Sequence, residues 1–77
     1  MNDVTVYSSN KCVYCVILKN FLRDQNIEFK EINVDEKPDI VQKLIMSSGQ
    51  MGIPQTEVNG KWVVGYKPDA IMNAIND

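Results

Sequence analysis

Two cysteines separated by two residues have the most distinctive chemistry of all the side chains in this sequence. Cys12 and Cys15 are the only cysteines among 77 residues, and the chain has no histidine. Positions three apart in the first turn of a helix lie on one side of it, so the two sulfurs can form and break a disulfide without a large backbone movement. The lack of histidine removes the commonest general base and metal ligand. The spacing therefore predicts thiol–disulfide exchange.

The two cysteines have different predicted roles. Cys12 falls at the N-terminus of a predicted helix, where unpaired amides and the helix dipole favour the thiolate and lower the pKa of the thiol. The neighbouring Lys11 acts in the same direction. We therefore predict Cys12 to be the nucleophile. Cys15 lies one turn into the helix, and we predict it to be the less exposed, resolving thiol that attacks the mixed disulfide between Cys12 and a substrate.

Local patterns predict a strand, a helix and a second strand in the first half of the chain. Val4–Ser8 is short, β-branched and aromatic, as strands are. Apolar residues then recur at spacings of three and four from Val13 to near Gln25, which predicts an amphipathic helix. Ile27–Val34 is β-prone, although its apolar residues change phase part-way. The apolar positions of the helix are Val13, Val16, Ile17, Phe21 and Leu22, and those of the strand are Ile27 and Phe29, then Ile32 and Val34.

The second half of the chain predicts a helix, a hairpin and a last helix. Pro38 suits a helix start and Gly49 a helix end. Asn59 and Gly60 lie between two β-prone runs and are the strongest local signal for a hairpin. A final helix begins near Pro68. The hairpin strands are Gln55–Val58 and Lys61–Val64, and the apolar faces of the two helices are Val41, Leu44, Ile45 and Ser48, then Ile71 and Ile75.

This order of elements predicts an α/β fold. The order is β-α-β-α-β-β-α, in which the first three elements form a right-handed βαβ unit with parallel strands. Because a two-residue hairpin is antiparallel, the four-stranded sheet must be mixed, with three helices available to cover its faces. At 77 residues the chain has room for a single domain, which we expect to span 1–77.

Composition and charge exclude several classes of partner. Ten acidic and eight basic residues give a net charge of -2, and no basic stripe could neutralise a run of phosphates, so we expect no nucleic-acid partner. No apolar stretch approaches the length of a membrane span. The N-terminus lacks the basic and apolar regions of a signal peptide. We therefore expect a cytoplasmic protein without a membrane partner, in a compartment where paired cysteines are usually catalytic or metal-binding.

Two structural uses of the cysteine pair are disfavoured, and one metal-binding use stays open. A structural disulfide would close too short a loop to stabilise the fold much. A structural zinc site needs four ligands, and two cysteines without histidine cannot supply them in one chain. A soft-metal carrier for copper(I), or an iron–sulfur cluster shared by two chains, remains the alternative from another functional class.

Three motifs resemble the glutaredoxin family and its thioredoxin-fold relatives over essentially the whole chain. Cys12-Val13-Tyr14-Cys15 resembles the glutaredoxin Cys-Pro-Tyr-Cys, with the valine that is typical of NrdH-redoxins. Gly52-Ile53-Pro54 corresponds to the cis-proline loop of this fold. Gly65-Tyr66-Lys67-Pro68-Asp69 is similar to the Gly-Phe-Arg-Pro-Asp segment of NrdH-redoxins.

This resemblance implies a thioredoxin (glutaredoxin-like) fold and a substrate site around the cysteines. It implies that the bond before Pro54 is cis and that the Ile53 backbone binds an extended substrate segment by strand addition. It also implies a monomer that binds no metal and holds no cofactor. The residues implied to contact substrate are Lys11, Tyr14, Ile53, Pro54, Gly65, Tyr66 and Lys67.

The resemblance implies a small dithiol reductant of protein disulfides. Thioredoxin reductase with NADPH would recharge it, and ribonucleotide reductase is the implied substrate. The alternative is a glutaredoxin that is recharged by glutathione and deglutathionylates proteins, which Tyr14 and the Pro54-Gln55 step favour. Two departures count against a glutathione site. Val64 and Lys67-Pro68 stand where glutathione-dependent glutaredoxins carry a Gly-Gly-acid segment, and Ser9 replaces a lysine three residues before the first cysteine.

Overall fold

The computed structural model describes residues 3–50 and 52–76. Met1, Asn2, Met51 and Asp77, which the prediction of one domain over 1–77 includes, lie outside the described residues, and that domain assignment stays a prediction. None of the described helices is both long enough and apolar enough to cross a membrane. The described residues form seven elements in the predicted order, which are β1 (Val4–Ser8), α1 (Val13–Asp24), β2 (Lys30–Asn33), α2 (Asp39–Ser48), β3 (Gln55–Val58), β4 (Lys61–Val64) and α3 (Pro68–Asn76).

The strands form one mixed sheet in the order β2-β1-β3-β4. β1 and β2 are parallel, as a βαβ unit requires, whereas β1 with β3 and β3 with β4 are antiparallel. Asn59 and Gly60 both have positive φ, at 51° and 87°, which is the geometry of the two-residue hairpin turn that these residues predict. The predicted thioredoxin-like architecture of four strands and three helices is confirmed for the described residues.

Two hydrophobic clusters lie on opposite faces of this sheet. The first, on what we call the α1–α3 face, packs the sheet against α1 and α3. The second, on the α2 face, packs it against α2, with the rings of Tyr7 and Trp62 stacked 5.4 Å apart. The buried members of the first cluster are Val4, Val6, Leu18, Leu22, Val58, Val63, Ile71 and Ala74, and those of the second are Tyr7, Val34 and Leu44.

The second strand spans Lys30–Asn33 and is therefore shorter than the predicted Ile27–Val34. Asn26 has a φ of 58°, and the Ile27 amide donates to the carbonyl of Leu22 at 2.9 Å, so Ile27 belongs to the C-terminal cap of α1. The change of phase in this segment also has a cause. Ile27 and Phe29 pack on the α1–α3 face, whereas Ile32 and Val34 pack on the α2 face.

The buried stripe of α1 differs from the predicted one. Its buried residues are Cys15, Leu18 and Leu22. Val13, Val16 and Ile17, which the spacing assigned to the buried face, are 74 %, 54 % and 39 % exposed. Spacings of three and four fit more than one stripe on this helix, and the contact with the sheet selects one of them. The residues Val13, Tyr14, Val16 and Ile17, which we call the apolar α1 surface, therefore remain in solvent beside the cysteines.

The other two helices follow their predicted bounds more closely than their predicted faces. α2 ends at Ser48 and is capped by Gly49, whose φ of 78° is the left-handed conformation of a glycine cap, but the helix buries only Leu44, and Ile45 is exposed. α3 buries Ile71 as predicted, together with Ala74, while Ile75 is partly buried against the first cluster. In α2 the sheet therefore covers a narrower stripe than the apolar pattern suggests, whereas in α3 the buried stripe also includes Ala74.

Candidate functional site

The pairing of the strands brings several loops to one end of the sheet. β1 ends at Ser8, four residues before Cys12. Tyr7 pairs with Gln55 across the β1–β3 ladder, so Pro54, one residue earlier, lies beyond the same end of the sheet. Gln55 in turn pairs with Val64 of β4, which places Gly65 opposite Pro54. Residues that are far apart in sequence therefore meet around the loop that carries the cysteines.

Cys12 and Cys15 form a disulfide at the start of α1, with their Cα atoms 5.2 Å apart. Cys12 is the N-cap residue in an extended conformation, and its sulfur accepts a hydrogen bond from the backbone amide of Cys15 at 3.1 Å. Cys12 is partly exposed, whereas Cys15 is 1 % exposed. Of the two sulfurs, the one at the helix terminus is the one a partner can approach.

The Ile53–Pro54 peptide bond is cis, the isomer that the resemblance implies. Pro54 is buried, and its carbonyl accepts a hydrogen bond from the Gly65 amide at 2.8 Å. Gly65 has a φ of 90°, a conformation that residues with a side chain rarely adopt. The side chain of Ile53 packs on the α2 face. Pro54 and Gly65 are thus held together directly, which anchors the backbone immediately after Ile53.

The remaining predicted substrate residues lie in different environments. Lys11, Tyr14 and Lys67 are exposed, and Tyr14 belongs to the apolar α1 surface. The ring of Tyr66 is partly buried instead and meets the ring of Phe21 edge-on, with the ring centroids 6.3 Å apart. The structure therefore brings together the two cysteines, and separately Pro54 and Gly65, while it directs Tyr66 toward the core.

Sequence reasoning missed a set of polar side chains that holds the loop before Cys12. The Asn10 amide donates to the carboxylate of Asp35 at 2.8 Å, and the Asn33 side-chain amide donates to the Asn10 side-chain oxygen at 2.7 Å. The Asp35 amide donates to the Asn33 side-chain oxygen at 2.9 Å. The signal available in the sequence was two polar, turn-type segments after consecutive parallel strands, whose ends must meet at one sheet edge.

An ion pair ties the helix that carries the cysteines to the sheet. The Lys19 ammonium lies 2.7 Å from the Glu31 carboxylate, and the hydroxyl of Ser8, which is buried at the end of β1, donates to the same oxygen at 2.8 Å. These contacts hold the pKa of Glu31 below its ordinary value of 4.5, the hydrogen bond from Lys19 being the largest cause and that from Ser8 the next. The charged carboxylate is therefore the form that the fold stabilises.

This lowered pKa makes part of the stability depend on pH. The stabilisation is present above the unfolded-state pKa of Glu31 and is lost as the pH falls through the lower folded-state pKa. We expect Glu31→Gln, which keeps an acceptor for Ser8 but removes the charge, to lower the free energy of unfolding at neutral pH by about 0.5 kcal/mol, because the pair is partly solvated. The difference from the unaltered protein should shrink as the pH is lowered below 4.5, the ordinary pKa of this group, in urea titrations. A constant difference would contradict the assignment, and Glu28→Gln is the matched control at an exposed position.

A sequence model of the family described as glutaredoxin matches residues 4–63, which include both cysteines, the cis-proline and all of the sheet except Val64. The chain belongs to the glutaredoxin family. Within the part of this glutaredoxin-family chain that the structure describes, no group of three or more cysteine or acidic side chains is placed to hold a metal ion.

Individual relatives within the glutaredoxin family are also similar. The chain is 50 % identical to the glutaredoxin-like protein NrdH of Lactococcus lactis subsp. cremoris over 42 residues, which are 54 % of this chain and 58 % of that protein. It is 31 % identical over 69 residues to the glutaredoxin-like protein NrdH of Salmonella typhimurium, covering 90 % of this chain and 84 % of that one. The Lactococcus match thus spans less than two-thirds of the relative's length.

A solved structure has the same fold over nearly all of this glutaredoxin-family chain. The glutaredoxin-like protein NrdH-redoxin from Escherichia coli superposes with a TM-score of 0.83 at 28 % identity, covering 92 % of each chain. The work on that structure describes a thioredoxin-like activity profile for that protein. The resemblance that three short motifs indicate therefore extends to the arrangement of the whole sheet and its helices.

Proposed function

We propose that this protein is a dithiol–disulfide oxidoreductase that reduces protein disulfides through Cys12 and Cys15. The observation that carries the proposal is the Cys12–Cys15 disulfide, with one sulfur partly exposed at a helix N-terminus and the other buried. Membership of the glutaredoxin family supports it. A buried structural disulfide would have no need of an accessible sulfur, whereas an exchange reaction requires one.

The reaction begins from the reduced pair and moves two electrons. The thiolate of Cys12 attacks one sulfur of a substrate disulfide, forming a mixed disulfide and releasing the other substrate sulfur as a thiolate that takes up a proton. Cys15 then loses its proton and attacks the sulfur of Cys12, which releases the second substrate thiolate and forms the Cys12–Cys15 disulfide. Because Cys15 is tethered one helical turn away, this second step is intramolecular and fast.

The surroundings of the disulfide suit a protein partner. The apolar α1 surface places Val13, Tyr14, Val16 and Ile17 in solvent next to the reacting sulfur, and clustered exposed apolar side chains are typical of docking sites. The backbone at Ile53 precedes the cis-proline at the same end of the sheet and can add an extended partner segment through its amide and carbonyl. Lys11 and Lys67 add exposed positive charge to this end.

The source of electrons that we propose is thioredoxin reductase with NADPH, with no cofactor bound to the chain itself. Support comes from the similarity to proteins named glutaredoxin-like protein NrdH and from the thioredoxin-like activity profile described for the Escherichia coli structure. Val64 and Lys67, which stand in place of the glutathione-binding segment, point the same way. We propose that the protein works in the cytoplasm and that ribonucleotide reductase is the first substrate to test.

The decisive experiment compares two ways of reducing the oxidised protein. One reaction contains NADPH and thioredoxin reductase, and the other contains NADPH, glutathione and glutathione reductase, with NADPH consumption as the readout. We expect turnover with thioredoxin reductase to be at least about tenfold faster. Fast turnover only with glutathione would instead identify a glutathione-dependent glutaredoxin, and reactions without the chain supply the background rate for each arm.

A further inference from the structure

Gln55 is a fully buried polar residue at the start of β3, directly after the cis-proline. It lies on the α2 face, because it pairs with Tyr7 of β1 and Val64 of β4. Its side-chain amide nitrogen donates to the carbonyl of Gln50 at 2.9 Å. Its side-chain oxygen is buried and has no hydrogen-bond partner in the part of the chain that the structure describes.

A buried amide that is only half satisfied is costly, and an apolar residue at this position would avoid the cost. The hydrogen bond that the Gln55 amide donates to Gln50 is therefore expected to have a function. That bond is directed at the connection between α2 and β3, not at the sheet or the helix core. Gln50 and Gln55 stand on either side of the segment that ends in Ile53 and Pro54.

Ser48 holds the other end of the same connection. Its hydroxyl accepts a hydrogen bond from the Gln50 amide at 3.2 Å, and it can donate to the carbonyl of Leu44 at 2.9 Å or to that of Gln50 at 3.3 Å. The Gln50 backbone is thus held from the last turn of α2 on one side and from the first residue of β3 on the other. Beyond this point the Pro54 carbonyl is held by the Gly65 amide.

We propose that Gln55 is a positioning residue for substrate, which holds Gln50 so that the Ile53 backbone keeps the geometry needed to bind an extended partner segment. This role rests on the proposed function and assigns the side chain a part in the recognition of peptide substrates. Gln55 does not touch the reacting sulfurs in this scheme. A backbone that binds a partner strand must be correctly placed before the partner arrives, because ordering it on binding weakens the complex.

The test uses two chromogenic mixed disulfides of thionitrobenzoate that share one leaving group. One carries an extended nine-residue peptide with a central cysteine, and the other carries only 2-mercaptoethanol, which has no amide group. Both undergo the same chemistry at Cys12, but only the peptide can use the backbone at Ile53. Single-turnover rates of the reduced protein are measured against the concentration of each probe, so that half-saturation and maximal rate are obtained separately.

We expect Gln55→Met, which keeps the length of the side chain but removes the amide, to raise the half-saturation concentration for the peptide probe about tenfold, the effect of one lost hydrogen bond. The rate with the small probe should stay within about twofold. Thr56→Val is the matched control. Thr56 is the next residue of β3, equally buried with an unpartnered hydroxyl, yet on the α1–α3 face, and its replacement should change neither probe.

Equal losses with both probes, or no loss with either, would overturn the positioning role. If Gln55→Met does not fold, Ser48→Ala removes the other side chain that holds Gln50 and must show the same selective loss, and its failure to do so also overturns the proposal. Failure of the unaltered protein to react with the small probe would instead reject the proposed oxidoreductase function, so the two failures are distinguishable.

Discussion

Cys12→Ser is expected to abolish the proposed reduction of disulfides, lowering the single-turnover rate by more than about 10³-fold. A serine hydroxyl is not ionised at neutral pH and cannot form a disulfide. Cys15 cannot replace the missing thiol, because it is buried in the first turn of α1 and only 1 % exposed. The rate is measured as the release of thiol from an oxidised protein substrate by the pre-reduced variant.

Cys15→Ser provides the matched variant, because it leaves the outer thiol in place. The first exchange step should proceed, but no internal thiol is then available to resolve the product. We expect the variant to stop as a mixed disulfide with its substrate, detected as an added mass that a reductant removes. Sustained turnover of Cys15→Ser with glutathione would show a monothiol mechanism and contradict the dithiol scheme, as would substantial activity of Cys12→Ser.

Leu18→Ala is expected to have the second large effect, on stability. Leu18 is fully buried between α1 and the sheet, and truncation of such a leucine costs about 3 kcal/mol through lost burial and the cavity that remains. A domain of this size has a total stability of roughly 4–12 kcal/mol, so one substitution removes a large part of it. The free energy of unfolding is measured by denaturant titration of the disulfide form.

Ile17→Ala is the control for this prediction, because it removes a similar apolar side chain from the adjacent position of the same helix. Ile17 is 39 % exposed and belongs to the apolar α1 surface. We expect a loss below about 1 kcal/mol, since only a partly buried side chain is truncated and alanine favours the helix. Equal losses at positions 17 and 18 would mean that α1 packs on the sheet with a different face.

The order and type of the elements were largely predictable because their signals are local. Helix caps, hairpin turns and apolar periodicity act over a few residues, and here Gly49, Asn59 and Gly60 adopt the positive φ that their positions predict. The position of the cysteine pair was predictable for the same reason. Placing Cys12 before an amphipathic helix sufficed to locate a disulfide at a helix N-terminus.

The faces of those elements were not predictable from the same signals. Val13, Val16 and Ile17 form as good an apolar stripe as Cys15, Leu18 and Leu22, and only contact with β1 and β3 decides which one is buried. The apolar residues after Asn26 pack first on one face of the sheet and then on the other. The reason is that Ile27 belongs to the helix cap and the strand begins only at Lys30.

The amino-acid sequence is enough to predict the set of elements, the position of the reactive pair and, through three motifs, the family. Which polar side chains hold the loops around that pair depends instead on how the strands pair. Asn10 meets Asp35 because parallel pairing brings the ends of β1 and β2 together, and the Gln55 side chain reaches Gln50 because the register of β3 turns it to the α2 face. Backbone propensity acts between neighbours in the chain, whereas these contacts depend on strand order and register, which no local pattern encodes.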